Sequence, residues 1–71
     1  MSTVRAWQLG RRHGTLRGDH EAIAAALAKT GAPFRWVPRE MAYVVPLSAF
    51  DRVLVAIEMD GHRLVFRAGL W

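Results

Sequence analysis

The stretch from Asp19 to Pro33 constrains this chain more than any other, because both ends of a helix are written into it. Asp19 suits the N-cap, where a short side-chain oxygen reaches the first unpaired backbone N–H groups. Glu21 follows in the first turn, where the helix dipole favours an anion. His20, Ile23, Ala24 and Leu27 recur at helical spacing, and Ala22, Ala25, Ala26 and Ala28 add intrinsic propensity. Gly31 fits the left-handed position just past a helix end, and Pro33 blocks resumption. The sequence therefore predicts a helix over about Asp19 to Thr30, with an alanine-rich side that can lie close against a sheet.

That helix must find its partners within 71 residues. A chain of this size buries only about 60% of its unfolded surface, so residues 1 to 71 are expected to form a single domain of modest stability. There is no cysteine, which excludes disulfides and thiolate metal sites. A hydrophobic fraction of 52% fits a packed domain and argues against disorder. No apolar run approaches a membrane span and no signal-peptide pattern opens the chain, so the expected location is the cytoplasm, with no membrane partner.

Before the helix, Thr3 to Leu9 reads as a strand, with Val4, Ala6 and Gln8 on one face and Thr3, Arg5, Trp7 and Leu9 on the other. Gly10 to Gly14 is a glycine-bracketed basic turn. Thr15 to Gly18 returns as a second strand, making a hairpin tipped by Arg11 and Arg12. That tip is a candidate phosphate clamp, weighed against a plain solvated loop; loops carry binding residues disproportionately often. After the helix, Phe34 to Val37 and Met41 to Val45 read as strands joined by Pro38-Arg39-Glu40, and Pro46 ends the pair. Alternation alone leaves open which face Trp36 and Tyr43 take. Trp36 reads either as a core anchor between helix and sheet or as a contact residue.

A second helix is expected over about Ser48 to Met59. Ser48 and Asp51 resemble a capping box, and Phe50, Val53, Leu54 and Ile57 follow helical spacing. The rival is a hairpin: Val53 to Ile57 is rich in β-branched residues and Asp60-Gly61 is a strong two-residue turn. A final strand over His62 to Arg67 fits either case, with Leu64 and Phe66 on one face and Arg63, Val65 and Arg67 on the other. Residues 68 to 71 form a short tail in which Trp71 is either a tether or an exposed contact. Cap, helix, glycine and strand thus occur twice, as Asp19 to Val37 and as Ser48 to Phe66. The expected fold is α+β: a mainly antiparallel sheet with two helices on one face, in the order β-β-α-β-β-α-β. The other face would be open and carry arginine and aromatic side chains.

The net charge is +4, and nine of the ten basic residues are arginine. Arginine offers a planar fork of donors for phosphates and stacks on bases, which favours nucleic acid or another acidic partner. An alanine-rich, arginine-over-lysine composition is equally what a GC-rich bacterial genome produces. Arg5, Arg11, Arg12, Arg17, Arg35 and Arg39 are the candidate phosphate contacts. Trp7, Trp36 and Tyr43 are the candidate stacking residues, in the pattern of single-strand binders.

Thr15 to Asp19, the following helix, Phe34-Arg35-Trp36, Tyr43 and Pro46 together resemble the small HARP-like modules and related domains of plasmid and phage proteins. The resemblance covers about residues 15 to 66 and rests mainly on Arg35, Trp36, Tyr43 and Pro46. Tyr43 stands where a second tryptophan is common, and the module is read here as free-standing. HARP modules are attached to DNA-remodelling helicases and assist binding of branched or single-stranded DNA. The resemblance implies a non-enzymatic module that binds single-stranded or forked DNA.

The alternative is a protein-interaction module of a phage or mobile element (an inhibitor, adaptor or assembly subunit), with Val55 and Met59 off the core face of the second helix. A homodimer through a sheet edge is compatible with both. No set of nucleophile, base and orienting group is legible, so no enzyme and no cofactor are expected. His13, His20 and Asp19 match no tight metal-ligand spacing, so no metal is expected either. Arg17-Gly18-Asp19 matches the tripeptide of integrin ligands, but a helix cap explains Asp19 better.

Overall fold

The computed structural model describes residues 2–67. Its elements, in chain order, are β1 (Thr3–Leu9), β2 (His13–Gly18), α1 (His20–Thr30), β3 (Arg35–Val37), β4 (Ala42–Pro46), α2 (Leu47–Met59) and β5 (Arg63–Arg67). The expected α+β class and the order β-β-α-β-β-α-β are what is found.

Helix α1 ends as its sequence dictates. The Asp19 carboxylate accepts from the backbone N–H of Glu21 at 2.9 Å and of Ala22 at 3.1 Å. At the other end Gly31 adopts a φ of 66° and its N–H donates to the Leu27 carbonyl, the left-handed exit that glycine makes without steric cost. Asp19 also accepts from the Ser2 hydroxyl. These hydrogen bonds favour the charged form and hold the Asp19 pKa below the ordinary carboxylate value; the Ser2 hydroxyl is the largest influence and the Ala22 N–H the next.

Helix α2 settles the rivalry over Val53 to Met59: this stretch is helical. Ala49, Phe50, Val53 and Ile57 are buried, a face spaced three and four apart that a strand cannot present. Tertiary burial overrides the β-branched preference. Asp60-Gly61 still turns the chain, but as the helix exit, with the Asp60 N–H donating to the Ala56 carbonyl. The capping box does not form. The helix begins one residue early, at Leu47, with Pro46 at the N-cap and no side-chain cap bond. The Leu47 N–H donates to the Arg12 carbonyl at 2.8 Å, so the turn between β1 and β2 holds the first amide of the helix.

The sheet order is β3-β4-β2-β1-β5. The β1–β2, β2–β4 and β3–β4 pairs are antiparallel, and β1–β5 is parallel. Strand β2 begins at His13, two residues before the expected start, because it is central: His13 pairs with Leu9 on one side and Pro46 on the other. Both helices cover one face. Val4, Ala6, Leu16 and Val45 line its buried floor, and Ala22, Ile23, Ala26 and Leu27 of α1 pack above with the buried side of α2. Each fully buried Leu, Ile or Val here contributes about 1.5–3 kcal/mol. Two glycines permit the close approach. A Cβ on Gly14 would overlap the Phe50 ring, and one on Gly18, whose φ is 137°, would strike the Thr3 carbonyl. The helices are tied at their far ends by an ion pair between Lys29 and Asp60.

Candidate functional site

Side chains alternate across a strand, so the register assigns every strand residue to a face. Trp7 pairs with Thr15, Thr15 with Val44 and Val44 with Arg35. This row crosses four strands on the face turned away from the helices. In the next row Arg5 stands between Arg17 and Val65, and Thr3 pairs with Arg63 beyond it. The open face therefore carries Arg5, Arg17, Arg35 and Arg63 together with half-buried Trp7 and Val44, while Thr15 between them is buried. All four arginines are exposed.

The electrostatics of this face follow from where the acids are not. None of the six acidic residues lies in a strand. Five belong to the helices and their caps: Asp19, Glu21, Asp51, Glu58 and Asp60. There they are joined by two bases, Lys29 and Arg52. The strands and the two hairpin turns hold the other eight bases and a single acid, Glu40. The modest net charge is thus the difference between an acidic helical layer and a strongly basic sheet.

Arg17 is held in place. Its Nε donates to the Glu40 carbonyl at 3.1 Å, its Nη2 reaches the same oxygen, and its Cζ lies 5.9 Å from the centre of the Trp7 ring, within cation–π range. The Glu40 carbonyl is presented by the β3–β4 turn, where Met41 adopts a φ of 51°. Arg11 and Arg12 are exposed at the β1–β2 turn, and Arg39 is exposed at the β3–β4 turn. These turns lie at opposite ends of the sheet, since His13 pairs with Pro46 and Leu16 with Tyr43. The arginine face runs between them.

Trp36 and Tyr43 do not join that face. They pair with each other across β3 and β4 on the helix side, with ring centroids 4.8 Å apart. His20, the first residue of α1, stands 4.9 Å from Trp36 and 5.9 Å from Tyr43, and Phe34 lies 5.7 Å from Tyr43. Four rings therefore fasten the start of α1 to the β3–β4 hairpin. Of the nine candidate residues, Arg5, Trp7, Arg17 and Arg35 come together, Arg11, Arg12 and Arg39 flank them, and Trp36 and Tyr43 stand apart.

Arg63 was absent from the candidates and belongs with them. Its side of β5 was legible from alternation. Its place beside β1 was not, because β1 and β5 meet through a parallel pairing sixty residues apart in sequence that no local pattern announces. A shallow groove of about 360 Å³ also lies at the β3–β4 side, lined by His13, Pro33, Phe34, Arg35, Val37, Val44 and Pro46. Among the described residues, no three His, Cys, Asp or Glu side chains are grouped to hold a metal ion, and no helix is long and apolar enough to cross a membrane. Comparison with protein-family models, curated proteins and solved structures finds no match.

Proposed function

We propose that the open sheet face binds single-stranded or branched nucleic acid, without catalysis, in the manner the HARP-like resemblance implies. The observation that carries this is the charge segregation: four exposed arginines on one face of a sheet that holds no acidic residue. Like charges opposite each other across a sheet are unfavourable. Arg5 against Arg17 across β1 and β2 sets two cationic groups side by side on this face. Arg5, Arg17, Arg35 and Arg63 would meet phosphates, and Arg11, Arg12 and Arg39 would extend the track at either end. Trp7, within this ring of charge, is the stacking residue, and it takes the role from Trp36 and Tyr43. A cytoplasmic location and an origin in a bacterial mobile element suit this reading.

The test is fluorescence anisotropy with a labelled single-stranded oligonucleotide, at low and physiological salt, against duplex and forked controls. Tight, salt-sensitive binding that favours single strands or forks supports the proposal. Each phosphate contact removed by an Arg5→Ala or Arg63→Ala change should flatten the slope of log affinity against log salt by about 0.7. Absence of binding at low salt rejects it.

A second reading rests on α2, where Val55 is 52% and Met59 82% exposed. Exposed apolar side chains on one helix suit a protein partner. Self-association through edge strand β3 or β5 is compatible with it. Loss of pull-down or self-association in a Val55→Asp, Met59→Asp pair, with nucleic-acid binding intact, would favour it.

A further inference from the structure

The groove beside β3 lies on the arginine face but has a different chemistry. Val44 and Val37 belong to the open face by register, since Val44 pairs with Arg35 and Val37 with Ala42. Both are half-buried, whereas Arg35 and His13 at the same groove are exposed. Pro33 and Pro46 add rigid apolar wall. The result is an apolar trough with donors only at its margin. Its volume, about 360 Å³, falls at the small end of ligand sites, which span about 300–1,000 Å³. An all-cationic track for phosphates does not require such a trough. A nucleic-acid backbone would leave it empty, and duplex bases, stacked inward, could not enter it.

We infer that the groove lined by Val37, Val44, Arg35 and His13 seats one unpaired nucleobase of a bound single strand, with its phosphate on Arg35. The assignment rests on the nucleic-acid reading above and deepens it, because it makes the protein select unpaired over paired strands. Charge complementarity supports this occupant: among the described residues that line the groove there is no acid, Arg35 is cationic, and the adjoining face is arginine-rich. The Trp7 ring lies two strands from Val44, across Thr15, or about 9–10 Å at the usual strand spacing. That spacing allows neighbouring nucleotides of one strand to occupy the two positions.

The experiment compares a thymidine oligomer with the same sugar–phosphate chain lacking bases, by anisotropy, on wild type, Val44→Phe, which fills the groove, and Arg35→Ala, which leaves it open. Circular dichroism checks that each variant is folded, and the exposed Arg35 position keeps the test alive if Val44→Phe is not. Wild type should bind the thymidine oligomer more tightly than the abasic chain. Val44→Phe should lower thymidine affinity by roughly 5- to 100-fold while leaving abasic affinity unchanged, and Arg35→Ala should weaken both. In wild type, thymidine monophosphate should shift the methyl resonances of Val37 and Val44. If wild type binds oligomers but Val44→Phe loses nothing and the valine methyls do not move, the base seat is wrong and the phosphate track stands. If wild type binds no oligomer at all, both are overturned.

Discussion

Leu16 and Arg17 are consecutive in β2, yet they belong to two different materials. Leu16 is fully buried among Val4, Ala6, Val45 and the two helices. Arg17, on the other side of the same backbone, is exposed, faces Arg5, and is steadied by the Glu40 carbonyl and the Trp7 ring. Beneath the helices the covered face is built from glycine, alanine, valine and leucine, so that they can approach, and it holds the core. The open face buries Thr15 and half-buries Val44, but its exposed positions are mainly arginines. A small domain has few strand positions to spend, and here one side of the sheet is given to packing and the other to charge.

The sharpest way to break that comparison is to truncate one residue from each face. Leu16→Ala should cost about 2–5 kcal/mol, enough to unfold much of so small a domain, whereas Arg5→Ala should stay within about 0.5 kcal/mol; urea unfolding monitored by circular dichroism reads both. Equal losses would mean the open face is structural after all.

Gly14→Ala comes next. The added methyl meets the Phe50 ring rather than a flexible side-chain tip, and overpacking of this kind costs about 1–3 kcal/mol, read as a lower denaturation midpoint at unchanged slope.

The two tryptophans give a third contrast, in which stability and binding should separate. Trp36→Ala should lower the thermal midpoint by freeing the start of α1 and leave the salt slope of oligonucleotide binding unchanged. Trp7→Ala should weaken single-strand binding by about 1–3 kcal/mol for the stacked base it loses. If Trp36→Ala removes binding from a folded protein, the aromatic cluster has to be brought back into the interface.

The smallest effect concerns pH. Hydrogen bonds to the Asp19 carboxylate lower its pKa in the folded state. Their stabilisation is fully present above the unfolded carboxylate value of about 3.9 and is lost as pH falls through the lower folded value. The gap in thermal midpoint between wild type and Asp19→Ala should therefore be constant near neutrality and narrow only in acid below that value. A gap that narrows near neutrality would mean that the Asp19 hydrogen bonds are not its source.

Much of this molecule is decided locally, and the sequence by itself determined those parts. Asp19 and Gly31 set both ends of α1 through hydrogen bonds that reach no further than four residues. Period-two alternation in β1 and β5 separated Arg5, Trp7 and Arg63 from Val4, Ala6 and Leu64, because a strand leaves each side chain only two directions. What required the tertiary structure was each choice made by a distant partner. Helix α2 outcompeted a hairpin because a core was waiting for Phe50, Val53 and Ile57, and its first amide is held by the distant Arg12 carbonyl while Ser48 caps nothing. Trp36 and Tyr43 went to the helix side because β4 entered the sheet beside β2 in the register that sets Tyr43 against Leu16. Arg63 joins the arginine face only because β5 lies parallel to β1, which sets it beside Thr3. Pairings across such separations are set by how the whole hydrophobic surface closes, and no run of neighbouring residues encodes them.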